Sequence, residues 1–172
     1  VKVSHFLFNY YTAVLVKKFI ANLTDKSVKI KWPNDIIVQN KKVCGILLEK
    51  KKIKGNQYFI IGIGINILQE EFDDISNAGS LYTQTKGCFD LKEFTEDFHI
   101  FMTQNLKLIP SESEILNLFN KNLYKKDEIS VFEKEEVRQN GIIRFADENG
   151  EIHIEFENGV QSFYHKEIKL LY

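Results

Sequence analysis

Lys31-Trp32-Pro33-Asn34-Asp35, with Lys42-Val43-Cys44-Gly45-Ile46-Leu47 close behind it, is the stretch on which the fold turns. It holds the only tryptophan of the chain, one of its two prolines, and an acid between two lysines. Pro-Asn and Asn-Asp favour turns, because proline presets its φ angle and short polar side chains hydrogen-bond the local backbone. Before the turn, Val28 to Trp32 alternates apolar and polar residues, the period of a half-buried strand. After it come Ile36-Ile37-Val38, a second strand, and the turn-like Gln39-Asn40-Lys41-Lys42. Two longer strands follow, 43–53 and 57–68, joined through Lys54-Gly55-Asn56.

Upstream, Phe6, Tyr10, Ala13, Val16, Ile20 and Leu23 recur at spacings of three and four, so the sequence predicts a helix with one apolar face. Downstream, 69–90 is polar and irregular, and loops of that length are usually functional or mobile. Two helices are expected at 91–109 and 111–124. Ser111 with Glu114 forms a capping-box pattern at the second, with Leu116, Phe119, Leu123 and Tyr124 on its buried side. Beyond residue 126 five short alternating segments with Asp-Glu-Asn-Gly and Glu-Asn-Gly turns predict a small barrel or sandwich. The expectation is an α+β protein with a domain at 1–125 and a smaller one at 126–172.

Composition narrows the function. Of 172 residues, 44% are hydrophobic and 13% aromatic, enough for a real core. Lys plus Arg number 23 against 24 Asp plus Glu, and a net charge of -1 gives no reason to expect nucleic acid as the main partner. No apolar run suits a bilayer-spanning helix, so no membrane partner is expected. No signal peptide is visible, and Cys44 and Cys88 resemble neither a disulfide framework nor a metal pair; a cytoplasmic protein is the simplest reading.

Several candidate sites compete with plainer explanations. Gly62-Ile63-Gly64-Ile65-Asn66 lacks the third glycine of a dinucleotide fingerprint, since position 67 is Ile67. Glycines inside a strand mark close approach of a ligand or backbone, or a simple bulge. Asn66 either bonds a ligand or closes the strand. Lys50, Lys51, Lys52 and Lys54 read as a solvated hairpin tip. His5, His99, His153 and His165 have no metal-ligand spacing and read as structural or exposed, so no metal-binding residue is assigned. No catalytic triad is indicated. Lys42 would stay charged at neutral pH, and a fixed ammonium neutralises a carboxylate attacking a phosphate. Asp35 would orient a triphosphate or that lysine. An ordinary surface hairpin with an incidental ion pair explains the same residues.

Lys31-Trp32-Pro33-Asn34-Asp35, Lys42-Val43-Cys44-Gly45-Ile46-Leu47 and Gly62-Ile63-Gly64-Ile65-Asn66, in this order, resemble the biotin protein ligases. The resemblance runs over the whole chain. It implies a mixed β-sheet core with helices, like that of class II aminoacyl-tRNA synthetases and biotin ligases, followed by an SH3-like β-barrel. It implies that biotin and MgATP form biotinyl-5′-AMP, which then acylates one lysine of a biotin carboxyl carrier protein or carboxylase subunit. By motif position Lys42 would contact the biotin carboxylate and the α-phosphate. Gly45 and Gly62 would let backbone approach biotin, and Asn34, Asp35, Lys42 and Asn66 would contact nucleotide. Lys42 and Asp35 would be the catalytic pair, Asp35 helping to activate the carrier lysine. Trp32 and Pro33 would brace the site, and 69–90 would close over the adenylate. A homodimer through the central sheet is an assembly that the resemblance allows.

The family's GRGRxGR biotin loop is absent from this sequence, whose arginines are Arg138 and Arg144. The expectation is therefore that Val1 is an internal start and that the catalytic domain is N-terminally incomplete. No DNA-binding helix-turn-helix is found, so no repressor role is inferred. Two other functions stay open. One is a lipoate or octanoate ligase or transferase, which shares the fold and the lysine. The other is a non-catalytic fragment that binds nucleotide or carrier.

Overall fold

The structure, a computed structural model, describes residues 3–73 and 75–172. The expected internal start at Val1, and Asp74 of the 69–90 segment, lie outside them.

Helix α1 (His5–Ala21) begins where the Ser4 side chain accepts a hydrogen bond from the Leu7 backbone N–H at 3.2 Å. Tyr10, Ala13, Val16 and Ile20 of the expected face are buried, but Phe6 and Leu23 are each 42% exposed. Leu7, Tyr11, Val14 and Leu15, from other faces, are buried instead. The single-stripe expectation is corrected here: a helix covered on several sides is apolar all round. One side packs on strands β1 (Val28–Lys31), β2 (Asp35–Val38) and β3 (Lys41–Ile53). Another meets helices α3 (Leu91–Asn105) and α4 (Glu112–Lys121), where Phe19 touches Phe94, Phe98 and Phe101, and Tyr10 stacks on Phe119 at 3.9 Å.

With β4 (Asn56–Ile65), β1 to β3 form one antiparallel sheet in chain order. Lys54 and Gly55, both at positive φ, make the tight turn between β3 and β4. Helix α4 has the expected capping box, Ser111 and Glu114 each reaching the other's backbone. Its buried side includes Ile115 with Phe119, while Leu116 is only partly covered. Within 69–90 lies a short helix that the polarity of the segment concealed, α2 (Leu81–Thr85), with its own Ser80–Thr83 box.

The C-terminal part is a five-stranded antiparallel sheet, ordered β8 (Gly159–Phe163), β7 (Ile152–Phe156), β6 (Val137–Ala146), β5 (Ile129–Lys134) and β9 (Lys169–Leu171). Phe132, Ile143, Ile152, Ile154 and Phe163 from it join the same hydrophobic cluster as α1 and the first sheet. The seam is also hydrogen-bonded. Asn120 of α4 exchanges two bonds with the backbone of Ala146, at 2.8 and 2.7 Å. Just before that sheet, the chain leaving α4 is bonded to β1: the Ile30 N–H donates to the Asn122 carbonyl at 2.8 Å, and the Ile30 carbonyl accepts from the Tyr124 N–H at the same distance. Among the described residues, no helix is long and apolar enough to cross a membrane.

Candidate active site

The 31–35 turn hangs from α1. The Trp32 indole N–H donates to the Tyr10 hydroxyl at 3.2 Å, and Asn9 donates its amide N–H to the Pro33 carbonyl at 3.1 Å. Trp32 and Pro33 are joined by a cis peptide bond. Lys31 pairs with Asp35 across the turn, and Asp35 pairs in turn with Gly45 of β3.

A break in regular pairing brings Lys42 to Asp35. Strand residues alternate faces, so positions 42 and 45 should point to opposite sides. Between Ile36 and Ile37 the register slips: Ile36 faces Cys44 but Ile37 faces Lys42, leaving Val43 as the extra residue. The bulge buries both Val43 and Cys44 and re-aims Lys42 onto the face that carries Asp35 and Gly45. There the Lys42 Nζ lies 2.7 Å from Asp35 Oδ1. Lys31 Nζ lies 3.9 Å from the other oxygen, Oδ2, so one carboxylate stands between two ammonium groups. Burial first, reinforced by the Lys42 charge, holds the Lys31 pKa below its ordinary value, against the opposing effect of Asp35. A Cβ at Gly45 would come within 3.4 Å of the Lys42 Cε and Nζ atoms and 3.6 Å of Asp35 Oδ1. This glycine therefore leaves room beside the ion pair.

Asn34, Asp35, Lys42, Gly45 and Gly62 line one cleft of about 570 Å³, floored by the bare backbone of β3 and β4. Leu47 and Gly64 stand on the same open face. Asn34 is also pinned in place, its side-chain N–H donating to the Ile46 carbonyl at 2.6 Å. Asn66 does not line this cleft. Its side chain donates to the Gly79 carbonyl at 3.0 Å, and its carbonyl accepts from Leu81 at 2.9 Å. Lys42 grips the same segment through its backbone, donating to Asn77 at 2.7 Å and accepting from Gly79 at 2.9 Å. The far end of the polar segment is thereby fixed to β3 and β4.

A second cavity, about 340 Å³, opens on the other side of the turn, between Trp32, Pro33 and the core of the C-terminal sheet. His165, from the segment between β8 and β9, lines both cavities. It is exposed, as expected, but its presence at the site was not legible in a lone histidine far along the chain. Cys44 is the small core residue that the sequence suggests, and burial pushes its thiol up to about 12. Among the described residues no group of three or more His, Cys, Asp and Glu side chains gathers to hold a metal.

Residues 2–66, which contain the whole turn, the bulge and the glycine strands, match the Biotin/lipoate A/B protein ligase family. The match covers the N-terminal part of the chain, and the antiparallel α/β fold is shared with solved biotin protein ligases. The bifunctional ligase/repressor BirA of Bacillus subtilis is 42% identical over 79 residues, covering 44% of this chain and 24% of that protein. Biotin–protein ligase 2 of Arabidopsis thaliana is 27% identical over 117 residues, covering 59% of this chain and 35% of that protein. The match to BirA thus spans about a quarter of its length. Among solved structures, the biotin protein ligase of Aquifex aeolicus in complex with biotin and ATP superposes with a TM-score of 0.77 at 26% identity. That superposition covers 99% of this chain and 73% of the Aquifex protein.

Proposed function

We propose that this protein is a biotin protein ligase: it condenses biotin with ATP to biotinyl-5′-AMP and pyrophosphate, then transfers the biotinyl group to a lysine of a biotin carboxyl carrier protein or carboxylase subunit. The observation that carries the reading is the Lys42–Asp35 pair, 2.7 Å apart, standing over glycine-floored strands. Two anions must approach each other in the first half-reaction, and a fixed ammonium between them offsets the repulsion. In this reading Lys42 meets the biotin carboxylate and the α-phosphate. Gly45 and Gly62 give biotin contact with bare backbone. Asn34 and Asp35 face the nucleotide, and Asp35 holds the carrier lysine as it arrives. Asn66 contributes by fixing the segment beside the nucleotide. Mg²⁺ enters with the triphosphate as part of the substrate, for which the charge of Lys42 is a fitting neighbour. The 69–90 segment closes over the adenylate and keeps water from the mixed anhydride.

The same reading divides the chain into a catalytic domain at 1–125 and an SH3-like domain at 126–172. It places the protein in the cytoplasm, which two free thiols support. It also leaves β4, an edge strand of the first sheet, available for a homodimer. The test is pyrophosphate release from ATP with biotin, lipoate or octanoate supplied separately. Release with biotin alone is the expected outcome. Release with lipoate or octanoate instead would move the protein to the other branch of its family. Nucleotide or carrier binding without release would leave a non-catalytic binding protein.

A further inference from the structure

The two cavities share Asn34, Asp35 and His165. The first two belong to the turn, and His165 is what the C-terminal sheet contributes to both. Its ring stands perpendicular to that of Trp32, with centroids 6.0 Å apart and planes at 88°. Because Tyr10 holds the indole, the imidazole rests on a fixed wall. His153, by contrast, is engaged elsewhere: Nε2 lies 3.0 Å from Asp147 and the ring stacks on Phe145 at 4.2 Å.

The argument that follows rests on the ligase reading. A lysine amine is an ammonium ion at neutral pH, and only its free base attacks an acyl group. Asp35 is the obvious group to receive that ammonium, yet both of its oxygens already face ammonium groups, those of Lys42 and Lys31. It is placed to hold a cation rather than to carry a proton away. We propose that His165 is the proton acceptor of the transfer step, with the carrier lysine entering through the smaller cavity and the acyl adenylate lying along the glycine strands. The amine nitrogen bonds to the biotinyl carbonyl carbon, and the bond from that carbon to the phosphate oxygen breaks. The electron pair leaves with AMP. Of the two protons that the ammonium loses on becoming an amide, the first passes to the imidazole and then to water, freeing the amine to attack, and the second leaves with the phosphate of AMP.

The charged groups around His165 favour this role. Lys166 adjoins it, Lys31 and Asp35 face it from β1 and β2, and Lys42 and Lys169 complete the charged lining of the two cavities. Partial burial first, and then the Lys166 charge, pull the imidazole below its ordinary value; Asp35 opposes them and Lys31 reinforces them. An imidazole so placed is unprotonated, and able to accept, at neutral pH.

The experiment is single-turnover transfer from preformed biotinyl-5′-AMP to a purified biotin carboxyl carrier domain, from about pH 5.5 to about pH 9, a range that brackets histidine titration. The wild-type rate should rise through an inflection below the ordinary histidine value. In His165→Gln the inflection should vanish and the rate fall on the order of 100-fold. Added imidazole should restore part of the rate to His165→Ala, which a merely structural role would not permit. A His165→Gln profile that overlays wild type would overturn the proposal, and so would a slower variant that keeps the inflection and ignores imidazole. Wild-type protein that neither releases pyrophosphate with biotin nor transfers the adenylate would refute the ligase reading itself, a separate result.

Discussion

Gly62→Val separates the stability of the glycine-floored cleft from its proposed use. Gly62 pairs with Leu47 on the open face of β3 and β4. A Cβ placed there meets only Leu47, at 3.7 Å from its Cβ and 3.8 Å from its carbonyl, which is ordinary contact. The backbone therefore accepts a side chain without movement. A glycine inside a strand costs roughly 0.5–1 kcal/mol in chain entropy, and β-branched residues suit a pleated surface. Valine should stabilise the fold by about 1 kcal/mol, a rise of roughly 2–4 °C in Tm for a chain of this size. If biotin lies against that bare backbone, the valine carbons occupy its place. Affinity should then drop on the order of 100-fold, or about 2.7 kcal/mol. Scanning fluorimetry and calorimetric biotin titration read the two effects on one sample. An unchanged Kd would mean that position 62 does not cradle the ligand. A Tm lowered by several degrees would mean that the face is packed after all.

Lys42→Ala should abolish pyrophosphate release while lowering stability by less than about 1 kcal/mol, since Lys42 is 43% exposed in its pair with Asp35. Undiminished release would remove Lys42 from the chemistry. Asn120→Ala should cost about 1–3 kcal/mol in urea unfolding, because it strips both partners from the Ala146 backbone. A loss near zero would show that water replaces the amide freely. In native protein at about pH 8, iodoacetamide should modify exposed Cys88 and spare Cys44, whose raised pKa keeps it a thiol far below the range where thiolate forms. Denaturant should expose both, and rapid native labelling of Cys44 would contradict its burial.

What could be read from the sequence was local. The hairpins, the turn at 31–35 and the Ser111–Glu114 cap are written in neighbouring residues, each with a steric or hydrogen-bonding cause. The clustering of Asn34, Asp35, Lys42, Gly45 and Gly62 was legible only because three short motifs occur together. Features set by distant partners escaped notice. The stripe on α1 hid the fact that other elements cover its remaining faces, which is why Leu7 and Leu15 are buried and Phe6 is not. Period-two reasoning would have turned Lys42 away from Asp35, and the extra residue at Val43 has no signature of its own. Asn66 reads equally well as a ligand contact, yet its amide is bonded to Gly79. His165 reaches the site only through the pairing of β5 with β9, a relation between segments far apart in sequence.

The solitary tryptophan turns the seam of this molecule into its own optical gauge. Every ultraviolet photon that this chain emits from an indole comes from Trp32, whose N–H is bonded to Tyr10 in the first layer and whose ring stands at right angles to that of His165 from the second. Loosening of the C-terminal sheet, proton uptake by the imidazole and filling of either neighbouring cavity all alter the surroundings of that one fluorophore. Events at the centre of the molecule are therefore visible without a label, against a spectrum that no other indole can blur.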